Sequence, residues 1–196
     1  MKVNECIGKI EQGCEIFGLT AGQFSFVDII EHCASEIGRS RCIISTWSAS
    51  ILHIDRILEM KRVGLIDGVG MIIDRSFKTC KPDVCAHLVN NLGIENVKTA
   101  SIHAKFAMLW NENRRIVIFT SANLNKNPRN ENFEIVESME MFTYLKKMCD
   151  NVFADNLETE GFSTKNEIGK VAKHMKVGEL WQNQISLNTA RLNLNA

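Results

Sequence analysis

The sequence predicts an α/β fold, a mixed β-sheet flanked by helices, and three observations carry that prediction. Short β-branched apolar runs alternate with amphipathic stretches from about residue 40 onward. A polar Asn111-Glu112-Asn113 turn joins two alternating segments as a hairpin, which adds antiparallel strands to a crossover-linked sheet. Hydrophobic residues make up 45% and charged residues 23% of 196 residues, a balance and a length that bury a core without staples.

The first two dozen residues are mixed and punctuated by glycine, with no clear period. Ser25 is placed to cap a helix through FVDIIEHCASEI that Gly38 ends. RCIISTW (41–47) reads as a buried strand. Ser48 and Ser50 stand ready to cap the helix ILHIDRILEMKRV, which stops at Gly64. VGMIIDRSF (69–77) reads as a second strand, and Pro82 opens a helix through about Asn91 with Gly93 beyond it. NVKTASI (96–102), HAKFAMLW (103–110), RRIVIFTS (114–121) and NFEIVES (132–138) follow as strands, the middle pair being the hairpin. MEMFTYLKKMCDNVFADN (139–156) is an amphipathic helix. Composition shifts at Gly161, so a single domain is expected over residues 1–158, with its core at about 40–156. A helical C-terminal extension over 159–196 ends in a frayed, Asn-rich tail.

Composition narrows the function classes. Lysine and arginine number 23 and so do aspartate and glutamate, so a polyanionic partner must be held by a local basic surface. The seven cysteines are odd in number and lack a CxxC, which reads as reduced thiols in a cytoplasmic protein. No Cys/His set stands at zinc spacing, and neither metal nor cofactor is expected. The N-terminal stretch carries scattered charges instead of an apolar h-region, and no apolar run reaches bilayer length, so no membrane partner is expected.

The chemistry concentrates between Ile102 and Ile135. Period-two alternation puts His103 and Lys105 on one face of their strand. The hairpin returns Ser121 and Asn123 to the level of His103, and Glu134 lies one strand away. An imidazole, an ammonium, a hydroxyl, an amide and a carboxylate together suit a phosphodiester: a nucleophile, a fixed cation, and neutral donors for non-bridging oxygens.

These residues resemble the phospholipase D superfamily, whose signature is H-x-K-x4-D followed by G-S-x-N and, in the nuclease branch, a glutamate on the next strand. His103 and Lys105 match H-x-K, Ser121 and Asn123 match S-x-N with Thr120 in place of glycine, and Glu134 follows Asn123 by eleven residues. Trp110 replaces the aspartate, and the NENRR turn lengthens the gap between the two motifs by about three residues. The resemblance implies that His103 attacks phosphorus to give a phosphohistidine while a second histidine serves the leaving oxygen and then water. It implies that Lys105, Asn123 and Ser121 hold the non-bridging oxygens, that Glu134 orients a histidine, and that no metal takes part. The chain carries one such set, and the other histidines (His32, His53, His87 and His174) have no lysine two residues on. One copy therefore supplies half a site, and the family's answer is a homodimer with a composite site.

Around this set, Arg75 closes the second strand and is a candidate phosphate contact or a surface ion pair. Lys126 and Arg129 follow S-x-N and are candidates for a nucleic-acid backbone, DNA being favoured over RNA. Trp47 and Ser48 end the first strand and either line the mouth of the site or, the preferred reading, pack in the core and cap the helix; Arg114-Arg115 reads as a solvated turn. Lys165, Lys170, Lys173, His174 and Lys176 fall at near-helical spacing, either an auxiliary nucleic-acid-binding face or a solvated one. The Asn-Leu-Asn-Lys-Asn-Pro-Arg run is similar to phage proteins of the superfamily. A metal-independent nuclease leads. A non-catalytic nucleic-acid-binding or scaffold protein is kept open by Trp110, and a phosphatidyl-lipid hydrolase is disfavoured by the lack of an apolar acyl groove.

Overall fold

Alternation along the central strands sorts their side chains onto two faces, and each face recruits its own helices. The structure is a computed structural model, and it describes residues 3–126 and 128–154. The strands are β1 (Glu15–Leu19), β2 (Ser40–Thr46), β3 (Ile66–Asp74), β4 (Val97–Ala100), β5 (Lys105–Trp110), β6 (Arg115–Thr120) and β7 (Asn132–Val136). They form one seven-stranded sheet in the order β1-β7-β6-β5-β2-β3-β4. β2, β3 and β4 run parallel, as crossover helices require. The β5–β6 hairpin joins β2 antiparallel, and β7 and β1 extend that side antiparallel. The mixed sheet expected from the sequence is the one found.

Ile44, Met71, Ile73, Ala107, Leu109, Ile116 and Ile118 share one face and one core with α2 (Phe26–Ile37), α3 (Ile51–Arg62) and α5 (Pro82–Leu92). Phe26, Ile29 and Ile30 of α2 and Ile54 and Ile57 of α3 are fully or almost fully buried there. The helices start where the sequence places them. At the start of α2 the Asp28 carboxylate accepts from both the N–H and the Oγ of Ser25, at 2.6 Å each. On the other face lies α6 (Met139–Ala154), where Cys149 contacts Met108 at 3.9 Å. The ring of Phe153 lies over Gly70, so close that a Cβ at that position would sit 2.9 Å from it.

Four features differ from the sequence expectation. The Gly-punctuated N-terminal stretch holds α1 (Val3–Ile7) and edge strand β1. β3 begins at Ile66 and ends at Asp74, and Arg75 stands at the N-terminus of a short helix, α4 (Ser76–Cys80). β5 begins at Lys105, leaving residues 101–104 as the loop that leads into it. Arg114 is no solvated turn residue: its side chain is 17% exposed and donates to Glu137 at 2.6 Å and to the carbonyls of Ile10 and Glu11 at 3.1 Å each. The extension over 159–196, with its lysines and His174, lies outside the described residues. Among the described residues, no helix is long and apolar enough to cross a membrane.

Candidate active site

The carboxyl ends of β2 and β3, the start of β5 and the end of β6 meet at one edge of the sheet, because antiparallel pairing returns β6 to the level where β5 began. Lys105 opposes Thr120 there, so the two motif segments arrive side by side. His103 sits in the loop just before β5, not in the strand, and is exposed. Lys105 is 9% exposed and reaches back to it. Its Nζ lies 2.9 Å from His103 Nδ1 and 3.3 Å from Nε2, and donates to the His103 carbonyl at 2.7 Å. The expected pair is thus brought together by a lysine folding back, with strand alternation playing no part.

The loop under His103 is tethered from two directions. Ile102 N–H donates to Asp74 Oδ2 at 3.2 Å, and Ser45 Oγ donates to the Ala104 carbonyl at 2.9 Å. Arg75 N–H donates to the Ala100 carbonyl at 3.1 Å. These bonds fix the ends of a four-residue segment that lacks ladder partners of its own.

Asn123 is half-buried, with Thr46 Oγ1 3.5 Å from its Oδ1. The S-x-N segment is laced to the end of β2. Leu124 N–H is shared between Thr46 Oγ1 and the Ser48 carbonyl, at 3.1 Å each, and Ser50 N–H donates to the Leu124 carbonyl at 3.0 Å. Thr120, standing where the superfamily has glycine, is buried, accepts from Ala122 N–H at 3.0 Å and donates to the Asn132 carbonyl at 2.7 Å. Its hydroxyl closes the turn that glycine would leave to backbone freedom alone.

The carboxylate beside this cluster is Glu131. Ser121 Oγ donates to Glu131 in a short hydrogen bond and accepts from Asn132 N–H at 3.1 Å. Burial pushes the Lys105 ammonium below its ordinary value by stripping water from it, and the Glu131 charge works against that shift. Among the described residues, no hydrogen bond joins Glu134 to this cluster within one copy of the chain. Glu134 opposes Phe119 on β6 and Phe17 on β1, whereas Lys105 opposes Thr120 and Thr120 opposes Phe133. One step along a strand changes face, so Glu134 shares a face with its cross-strand neighbours Phe119 and Phe17, the latter 71% exposed. Glu131 directly precedes Asn132, whose carbonyl accepts from Ser121 N–H at 3.2 Å, which puts residue 131 at the level of Ser121.

Arg75 stands at the same sheet edge, and its side chain has no ion-pair partner among the described residues. Lys126 and Arg129 are exposed on the loop between β6 and β7. That loop is clamped by the segment after β1: Thr20 N–H donates to the Glu131 carbonyl at 2.8 Å, Glu131 N–H to Thr20 Oγ1 at 3.1 Å, and Ala21 N–H to Asn130 Oδ1 at 2.9 Å. Of the two readings the sequence leaves for Trp47, core packing is the preferred one, and lining the mouth is the one the structure favours. Trp47 is 42% exposed, far from the core position its apolarity suggested, and its ring centroid lies 5.7 Å from that of His103. Trp110 is at the opposite end of β5, edge-on to Phe142 at 5.7 Å and with Lys146 Nζ 5.7 Å from its centroid. Among the described residues, no group of three or more His, Cys, Asp or Glu side chains is arranged to hold a metal ion.

No family model matches the sequence, and no curated protein sequence matches it. The fold does have relatives among solved structures. Nuc from Salmonella typhimurium, a phospholipase D family member, aligns with a TM-score of 0.54 and 17% identity over 74% of this chain and 97% of its own. NucT from Helicobacter pylori aligns with a TM-score of 0.51 and 17% identity over 71% of this chain and 96% of its own. Polyphosphate kinase from Porphyromonas gingivalis aligns with a TM-score of 0.52 and 12% identity over 82% of this chain and 30% of its own. The protein is thus a mixed α/β chain with a histidine–lysine cluster at one sheet edge. Its fold is that of the phospholipase D superfamily.

Proposed function

We propose that the protein is a phosphodiesterase that cleaves nucleic acid, DNA in preference to RNA, through a phosphohistidine at His103. The observation that carries this reading is the Lys105 ammonium 2.9 Å from His103 Nδ1, beside Asn123 and the Ser121–Glu131 pair. An anion arriving at the imidazole meets a cation already in place and already largely stripped of water, where its charge is felt most strongly. Lys105 and Asn123 hold the non-bridging oxygens, and Ser121 adds its hydroxyl when an incoming oxygen replaces Glu131 as its acceptor. Lys126, Arg129 and Arg75 lie where a flanking backbone passes and give a neutral chain its local basic surface. The protein's own cation and donors supply the charge stabilisation, so the reading calls for no metal.

A ring nitrogen of His103 attacks phosphorus, forming a P–N bond while the P–O bond to the leaving sugar oxygen breaks and takes its electron pair. A second imidazolium delivers a proton to that oxygen, then takes one from water, whose oxygen displaces the histidine. The other described histidines are engaged elsewhere: His32 with the Gly8 carbonyl at 2.7 Å, His53 with Ser50 Oγ at 2.8 Å, and His87 with Asp55 at 2.6 Å. With one such motif in the chain, the reading assigns the second imidazole to His103 of a second copy, across a two-fold axis passing beside the exposed ring. Seven free thiols suit a reducing, cytoplasmic setting.

Labelled single- and double-stranded DNA and RNA incubated with the protein in excess EDTA test the proposal, with His103→Ala alongside. Cleavage by the unaltered chain alone is expected. A folded dimer that binds these strands without cutting them moves the assignment to a binding protein on this fold. A strict monomer at micromolar concentration removes the composite site.

A further inference from the structure

Trp47 follows β2 directly and leaves a large apolar ring partly in water beside the reacting imidazole. The two ring planes are tilted by 46°, with centroids 5.7 Å apart. The seat of the ring is held firmly. Thr46 Oγ1 donates to the Ser48 carbonyl at 2.8 Å, and Ala49 bridges Leu124 just beyond Asn123. The backbone of residues 46–50 is thereby fixed to the segment that carries Asn123, and the indole's ring contact is with His103. The exposed indole presents a flat face within one nucleotide's reach of the phosphorus.

We infer that Trp47 is a stacking platform for the nucleobase next to the phosphate held at His103, and that it makes the preferred substrate an unpaired strand. The inference rests on the nucleic-acid reading above. A base inside a duplex has both faces covered by its neighbours and cannot offer one to an indole without unstacking first. A base in a single strand can. Any of the four bases has a π-face, so the platform selects strandedness, not sequence. Ile51 and Leu52 are also exposed, on the first turn of α3, and a lipid surface is the competing occupant for such a patch. The position of the indole favours the base: an anchor for a membrane projects away from the reacting atom, whereas this ring lies against it.

The test compares the unaltered chain with Trp47→Ala and Trp47→Phe. Binding is read by anisotropy on a phosphorothioate single strand that resists cleavage, on the same strand with abasic sugars, and on its duplex. Trp47→Ala is expected to weaken binding of the strand with bases by about fivefold to a hundredfold, the range that loss of one base–aromatic stack implies. Trp47→Phe is expected to retain most of the affinity, which also guards against a folding artefact in the alanine variant. All three proteins should bind the abasic strand alike, and the unaltered chain should prefer the single strand to the duplex. Equal weakening on both strands, no change on either, or a shift in oligomeric state overturns the inference. So does binding to phosphatidylglycerol vesicles that disappears with Trp47→Ala. Cleavage in EDTA is followed in parallel. If no strand is cut while binding depends on bases and on Trp47, the nuclease reading falls and the platform stands. If cleavage depends on His103 while binding is indifferent to bases, the platform falls and the nuclease reading stands.

Discussion

Glu131 and Glu134 are three residues apart on the same stretch of chain, and replacing each by glutamine separates two accounts of the site. Glu131 accepts from Ser121 and offsets the desolvation of Lys105, while Glu134 faces the other side of the sheet. A hydrogen bond to a charged acceptor contributes about 1.5–3 kcal/mol, and the partial exposure of Glu131 argues for the lower end. Glu131→Gln should therefore lower kcat/KM about tenfold, since each 1.36 kcal/mol is a factor of about ten. It should also move the pH profile. Burial lowers the Lys105 pKa and Glu131 raises it, so loss of the carboxylate lowers it further. Activity needs the ammonium, so the alkaline limb must shift to lower pH. Glu134→Gln should leave both kcat/KM and that limb in place. The assay is kcat/KM across pH 6 to about 10 on one oligonucleotide, within the range where lysine titrates. A larger loss from Glu134→Gln, or a tenfold loss from Glu131→Gln with an unmoved alkaline limb, refutes the assignment.

Two further outcomes follow from the packing. At Gly22 φ is +68° and a Cβ would lie 2.3 Å from the Pro128 carbonyl oxygen, whereas at Gly38 φ is +80° with open space around it. Gly22→Ala should cost more than the roughly 1 kcal/mol of backbone strain expected at Gly38→Ala, and should disorder the loop bearing Lys126 and Arg129; urea melts and amide exchange over residues 121–131 decide it. Burial works to raise the Glu137 carboxyl, but Arg114 and the N–H groups of Gly13 and Arg115 outweigh it and hold the group below its ordinary value. This pair therefore contributes stability above the unfolded carboxylate pKa and loses it as pH falls through the lower folded value. Arg114→Met should cost about 2–3 kcal/mol near pH 7, less than a fully buried broken pair, and the deficit should shrink in acid; a urea series that finds no pH dependence in that deficit refutes the pairing.

How much was legible in the sequence depended on how local each signal was. β2 and the second half of β3 were legible because they are mostly buried and carry short apolar runs, Ile43-Ile44 and Met71-Ile72-Ile73, which read as strand without knowledge of neighbours. β1 was hidden because its apolar residues face the wrong way: Phe17 and Leu19 point outward, and the inward positions are Ile16 and Gly18, with the Phe133 ring lying against the glycine. His103 and Lys105 were legible as a pair, but their meeting depends on a lysine side chain turning back toward a loop, which no alternation rule predicts. The choice between Glu131 and Glu134 hinged on register. A one-residue slip reverses the face of every side chain on a strand, and the start of β7 is tied to Thr20, over a hundred positions away in sequence. Trp47 was misread because apolarity argues for burial on average, and an exposed ring departs from that average where function retains it.

Trp110 remains the residue most at odds with the superfamily pattern, and its position decides what that difference means. β5 runs from Lys105 to Trp110, so five steps of about 3.4 Å place the indole about 17 Å along the strand from the His103–Lys105 cluster. There it packs edge-on to Phe142, beneath Lys146, and lies in one row with Arg41 of β2 and Arg115 of β6. Restoring the superfamily residue with Trp110→Asp removes that packing, for which burying and pairing an aromatic suggests a cost of about 2–4 kcal/mol. The two arginines flanking the position would meet the new carboxylate and hold the loss toward the lower figure. The structure therefore expects Trp110→Asp to lower the melting temperature while kcat/KM per folded molecule stays within about twofold, because nothing at that distance touches the reacting atoms. A tenfold gain in kcat/KM would mean that the aspartate position communicates with His103 after all, and that tryptophan there restrains the enzyme. An unchanged melting temperature would mean instead that α6 does not depend on the indole for its seat on the sheet.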